Sequence, residues 1–171
     1  MDCGQCEPWV LAVQHHYAYL FADHGFQLVH CQDARQGEHC LIVLESPQAR
    51  IKFEIDQGTP VVYFGTLDSP LGWEQQVDGV TVWYVDNALL NFVESQAGAG
   101  AGAAASPANA AANAAPRTTD ALLAAGAQRL RPHAAELIAA FAPNRPAAWW
   151  HGFDAYQSAR LAQIRQRMRS R

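Results

Sequence analysis

Two hydrophobic periods succeed one another along the chain. From Pro8 to Asp23, Val10, Val13, Tyr17, Leu20 and Phe21 recur at helical spacing. Pro8 suits a first helical turn, where its missing N–H costs nothing, and Gly25 is placed to terminate the helix. The period then falls to two. Phe26–Cys31 reads as a strand, Ala34–Gly37 as a turn, and His39–Leu44 as a second, more apolar strand. After a break at Ser46–Gln48, Arg50–Asp56 alternates strictly. Ile51, Phe53 and Ile55 lie on one face, and Glu54 and Asp56 on a face expected to meet solvent. Val61–Gly65 is a fourth strand. Short turns between consecutive strands predict an antiparallel meander.

Beyond Gly72-Trp73, Val80–Val85 reads as an irregular approach to a helix rather than a strand. Asp86 can cap that helix, which carries Leu89, Leu90, Phe92 and Val93 to Glu94. Residues 96–117 are dominated by alanine and glycine and hold no large apolar side chain. Nothing there offsets the entropy of ordering, which predicts a disordered insertion. Thr118-Thr119-Asp120 signals a new helix start. Leu122, Leu123 and Leu130 follow, and Pro132 kinks or restarts the helix. Leu137, Ile138 and Phe141 form a stripe ended by Pro143. A last helix opens near Pro146, with Trp150, Phe153, Leu161, Ile164 and Met168 at intervals of three or four apart from polar Gln157.

These elements predict an α+β fold: a four-stranded antiparallel meander covered by an N-terminal helix, a helix after the sheet and C-terminal helices. Residues 8–95 and 118–171 are expected to share one core across the 96–117 insertion, because the C-terminal helices look too short and apolar to stand alone.

Composition adjusts this picture. Of the 171 residues, 50% are hydrophobic, a figure inflated by alanine, yet seven Phe, five Trp and five Tyr suffice to close a small core. One lysine, Lys52, stands against eleven arginines. With the alanine excess, that imbalance reads as a high-GC bacterial coding bias. Residues 1–95 carry thirteen acids against Arg35, Arg50 and Lys52, whereas residues 117–171 carry nine arginines against Asp120, Glu136 and Asp154. The split is expected to be complementary within one molecule, since nucleic-acid binders usually show a basic domain overall. Nucleic-acid contact through the Arg-rich last helix stays as a secondary alternative. No apolar run approaches the roughly 20 residues of a bilayer span, so no membrane role is expected. The N-terminus lacks a basic region followed by an apolar stretch. A cytoplasmic location is the default, with cysteines reduced.

Candidate chemistry centres on cysteine. Cys3-Gly4-Gln5-Cys6 is a CxxC, and Cys31 and Cys40 lie on the first two strands. A turn centred between Arg35 and Gln36 would set Cys31 directly opposite Cys40. A zinc site from Cys3, Cys6, Cys31 and Cys40 would match the donor type of structural zinc, but only one chelating pair exists. A thioredoxin-like redox site would need a strand before the CxxC. The bland alternative makes Cys31 and Cys40 small buried hydrophobes and leaves Cys3 and Cys6 in a frayed terminus. No zinc-protease histidine pair, nucleophile elbow or phosphate loop is present, so no catalytic residue is assigned. Trp73, Trp83, Trp149 and Trp150 are candidate interaction residues, because aromatic anchors favour interfaces; they suit a core equally well.

The succession of "HGF", "LIVLES", "RIKFEID", a "GW" turn and "VWYVDNALLNFVES", then "LRPHAAELIAAFAP" before an arginine-bearing helix, resembles small bacterial proteins of an immunity-like kind. The resemblance covers roughly 8–95 and 120–169 and is one of hydrophobic spacing. It implies a single α+β fold and a non-enzymatic, protein-binding role with another protein as partner, and it carries over no functional residue.

Overall fold

The computed structural model describes residues 3–34, 38–98 and 118–169. Strands β1 (Gln27–Ala34), β2 (His39–Glu45), β3 (Arg50–Asp56), β4 (Thr59–Gly65) and β7 (Trp83–Val85) form one antiparallel sheet in the order β1-β2-β3-β4-β7. The sheet therefore has five strands where four were expected. Of the 80–85 segment expected to be irregular, residues 83–85 form a strand too short to display a period of two. They pair with β4 nonetheless, Gly65 opposite Trp83. Strands β5 (Gln76–Val77) and β6 (Val80–Thr81) make a separate small hairpin around Asp78 and Gly79, both with positive φ.

A 3-10 turn, Gly4–Cys6, leads into α1 (Glu7–His16) and α2 (Ala18–His24). The expected single helix is thus broken at Tyr17. Its backbone leaves helical geometry, and its ring turns inward to lie edge-on to Phe53, centroids 4.8 Å apart. Gly25 ends α2 at φ 67°, as its position suggested, and the Phe26 amide returns to the Leu20 carbonyl at 3.1 Å. Helix α3 (Asp86–Gly98) runs past the expected Glu94, so residues 96–98 are helical; the rest of the expected insertion, 99–117, lies outside the described residues. Helices α4 (Thr119–Leu130), α5 (Ala134–Phe141) and α6 (Ala147–Arg169) follow. Thr118 caps α4, its hydroxyl oxygen accepting from the Ala121 amide at 3.2 Å, and Pro132 lies in a 3-10 turn between α4 and α5.

The described helices lie on one sheet face. Ile42, Leu44, Ile51, Phe53, Ile55 and Phe64 meet Val13, Leu20, Leu89, Leu123, Leu137 and Phe141 there in one continuous core. The C-terminal residues 118–169 therefore share that core with the sheet. Polar ties reinforce the docking of α4. Arg129 forks onto both Glu94 carboxylate oxygens at 2.8 Å and also donates to Asn87 and Asn91. His16 meets Asp120 at 2.7 Å.

The opposite face is covered by chain, not helix. Leu41, Val43, Tyr63 and Trp83 form a second small cluster beneath the 66–82 segment. The Ser69 hydroxyl closes that segment on the Val82 carbonyl (2.7 Å), and the Trp83 indole to the Pro70 carbonyl (3.2 Å), the Gln75 amide to the Tyr63 hydroxyl (2.9 Å) and the Arg50 guanidinium to the Ser69 carbonyl tie it to the sheet. The Glu54 side of β3, expected to meet solvent, is thereby largely covered, and only Asp56 at its end is well exposed.

Candidate functional site

The four cysteines gather where the N-terminal turn meets the β1–β2 hairpin. Cys6 and Cys40 are fully buried and joined in a disulfide, with Cα atoms 5.6 Å apart. The expectation of reduced thiols therefore fails for this pair, and so does the reading of Cys40 as a plain buried hydrophobe. The expected pairing of Cys31 with Cys40 is also corrected. The hairpin closes on Ala34 opposite His39, a longer loop than the two-residue turn assumed, so Cys40 faces Asp33 and Cys31 faces Ile42. A bulge between Leu28 and His30 bends β1 just before Cys31.

Cys3 and Cys31 are half-buried free thiols, both packed against the core. Burial, the Cys3 thiol and the Asp33 carboxylate together push the Cys31 thiol up to about 12. Cys3 is not frayed. It packs against the core, and its carbonyl accepts the Cys6 amide at 3.0 Å. Asp33 completes the cluster. Its carboxylate accepts the Gln5 amide at 3.3 Å, and its oxygen and the Cys6 and Cys40 sulfurs all lie within 4.8 Å of one another.

The tryptophans sit against the chain's own interior. Trp83 is buried under the 66–82 segment, and Trp73 is half-buried against the same cluster. Trp149 and Trp150 pack with Phe92, Phe141, Tyr84 and Phe153, and their indoles donate to Glu136 (3.0 Å) and to the Ala140 carbonyl (2.7 Å). These rings fix the first turns of α6 to α3 and α5.

That anchoring leaves the rest of α6 projecting. Every residue from Ser158 to Arg169 is exposed. Leu161, Ile164 and Met168 are 51%, 44% and 73% exposed, although sequence periodicity alone had placed them on a core face. At roughly 100° per residue these three share one stripe, with Arg160 and Arg167 on one flank and Arg165 and Arg169 on the other. No acid follows Asp154. That pattern, arginines on both edges of an apolar stripe, is the sequence signal by which the surface could have been found.

Two further ionisable centres lie inside the fold. Lys52 is fully buried on the loop-covered face, its Nζ 5.0 Å from the Tyr63 ring centre and 4.8 Å from that of Trp83. Nζ stands 2.8 Å from Glu54 Oε1, close enough to pair charges but outside hydrogen-bond angles. Burial, then Glu54, pushes the Tyr63 hydroxyl up to about 12, against a lowering bond from Gln75. Asp86, at the start of α3, is raised to about 6 by burial, against the Asn87 amide and the Arg129 charge, which lower it. No cavity opens onto Lys52 among the described pockets. Of these, the one of about 150 Å³ that Asp86 borders is also lined by Tyr17 and Arg129.

Comparison with protein-family models, with curated proteins and with solved structures finds no match for this chain.

Proposed function

We propose that the protein is a non-enzymatic binding module of the immunity-like kind, which docks the projecting half of α6 into an apolar groove rimmed by acids on a partner protein. The observation that carries this reading is the fully exposed Ser158–Arg169 segment with its Leu161, Ile164 and Met168 stripe flanked by arginines. An amphipathic helix held rigidly at one end has already lost much of the entropy that docking costs, and helix-in-groove recognition uses apolar anchors at this spacing. Arginine edges speed encounter with an acidic rim. The half-buried Trp149 and Trp150 serve as the base of the lever, and Trp73 and Trp83 stay with the sheet.

A photo-crosslinking residue at Ile164, in the living host, tests the proposal. The expected product is one protein adduct whose purified partner binds the wild-type chain. Ile164→Ser with Leu161→Ser should then weaken that binding at least tenfold. A partner indifferent to those changes overturns the reading. So does an adduct consisting of nucleic acid whose binding falls steeply with salt.

A second reading is favoured by one observation, the convergence of the Cys6, Asp33 and Cys40 donor atoms within 4.8 Å. In a cytoplasmic setting, where the glutathione pool opposes disulfides, an open Cys6–Cys40 bridge would present two thiolates and a carboxylate to zinc. Cys3 or Cys31 would then be the candidate fourth donor. Metal analysis of reduced protein purified without chelator tests it, and zinc well below one ion per chain removes it.

A further inference from the structure

The described molecule holds one closed cysteine pair and, beside it, one open pair. The two differ in access. Cys6 and Cys40 are fully buried, whereas Cys3 and Cys31 each keep part of their surface in solvent. Both pairs join the same two pieces of backbone. Cys3 and Cys6 lie at the two ends of a single 3-10 turn, and Cys31 and Cys40 lie on the neighbouring strands β1 and β2. The sheet register sets Cys31 opposite Ile42 and Cys40 opposite Asp33, so Cys31 and Cys40 are diagonal neighbours on the helix-covered face. Cys3 and Cys31 both pack against the same edge of the core, and the Cys3 thiol is near enough to Cys31 to raise its pKa.

We propose that Cys3 and Cys31 are a redox modification site: small disulfides such as oxidised glutathione close them into a second bridge parallel to Cys6–Cys40. One thiol loses its proton and attacks a glutathione sulfur, releasing one glutathione and leaving a mixed disulfide. The second thiol then displaces the other glutathione. Two thiol hydrogens leave the protein, two glutathione thiols form, and one S–S bond replaces two S–H bonds. The fully buried Cys6–Cys40 bridge is shielded from the attacking thiolate that reduction requires. The outer pair therefore opens and closes while the inner one persists. In the doubly bridged state the N-terminal turn is pinned to the hairpin at two points, and in the singly bridged state at one.

The test uses the full chain, oxidised with excess glutathione disulfide, then digested in acid and mapped by mass spectrometry. The expected product loses its two free thiols, carries no glutathione and contains a Cys3–Cys31 link beside Cys6–Cys40. A mild phosphine should then return two thiols while Cys6–Cys40 stays closed. Cys31→Ser and Cys3→Ser should each trap one stable glutathionyl group on the remaining cysteine. Wild-type protein that keeps both thiols free, that accumulates glutathionyl adducts, or that links Cys3 to Cys6 overturns the proposal. Opening of Cys6–Cys40 at the same rate as the outer pair overturns the division of roles.

Discussion

The two faces of the sheet solve the same burial problem differently. The helix-covered face is apolar throughout its centre, with Ile51, Phe53 and Ile55 meeting side chains from α1, α3, α4 and α5. The face behind it is closed by a single stretch of chain, and its centre is a charge: Lys52 under the Tyr63 and Trp83 rings, with Glu54 beside it. One face takes its stability from area removed from water. The other must keep a cation satisfied in a place where water is excluded. Adjacent residues of β3 therefore play by different rules, and the strand's alternation does not reveal it.

The largest effect should come from the apolar face. Phe53→Ala removes the ring that supports Tyr17 and opens a void under α1 and α2. It should cost about 4 kcal/mol, in the range of large-to-small aromatic changes in cores. Urea unfolding should show the loss as a lower midpoint at an unchanged slope. A cost under about 1 kcal/mol would mean that the helices do not close on this face as the structure has them.

The charged face should respond in the opposite sense to two changes at one pair. Glu54→Gln leaves Lys52 as a buried cation without a counter-charge and should cost about 3 kcal/mol. Lys52→Met keeps length and apolar volume against the two rings, and sulfur–aromatic contact is favourable. That substitution should be neutral or stabilising, because a well-packed apolar replacement of a buried ion pair often is. Equal losses from both variants would sink the picture of a tolerated rather than stabilising charge.

Much of the fold was legible in the chain, and the reasons for the exceptions are local. Strand β3 and the Gly25 stop were readable because alternation and a left-handed turn residue leave direct marks. Tyr17 hid a helix break, since its spacing suits a continuous helix while its ring seeks Phe53. The Cys6–Cys40 bridge was not readable because disulfide connectivity depends on register, and the β1–β2 loop length was misjudged by two residues. The burial of Lys52 depends on a cover from residues 66–82, which carry no periodic signal. The projecting half of α6 has the same amphipathic pattern as a packed helix. Only the arginines on both edges of its stripe distinguish it.

Gly65 links the two faces to the fifth strand. A Cβ there would stand 2.8 Å from the Trp83 ring and 2.5 Å from the Ser69 hydroxyl. Both groups hold the 66–82 cover in place. Gly65→Ala should therefore cost about 2 kcal/mol by overpacking. It should also expose Trp83, read as a red shift of its fluorescence. A stable variant with unshifted emission would show that the cover is looser than the Trp83 and Ser69 bonds imply.

The smallest effect concerns the second buried charge, and it sharpens the contrast between an ion with a counter-charge at 2.8 Å and one stabilised mainly by an amide and a more distant arginine. Asp86 lies nearly buried at the start of α3, raised from an ordinary 3.8 to about 6 mainly by burial. The folded state thus holds this proton more tightly than the unfolded chain does. Its contribution is most favourable below pH 4 and is lost as pH rises through about 6, the reverse of a salt-bridged carboxylate. Asp86→Asn removes the charge and keeps an oxygen that can accept the Asn87 amide, now bonded at 2.6 Å. The variant should gain about 1 kcal/mol at pH 7, less than the full linkage because a buried amide has its own desolvation cost. The gain should shrink toward zero as pH falls to about 4. Urea midpoints of the two proteins across that range decide it. A constant difference at every pH would assign the effect to packing rather than to the Asp86 proton, whereas convergence at acid pH identifies a buried charge that, among the described residues, forms no ion pair, unlike Lys52 with Glu54.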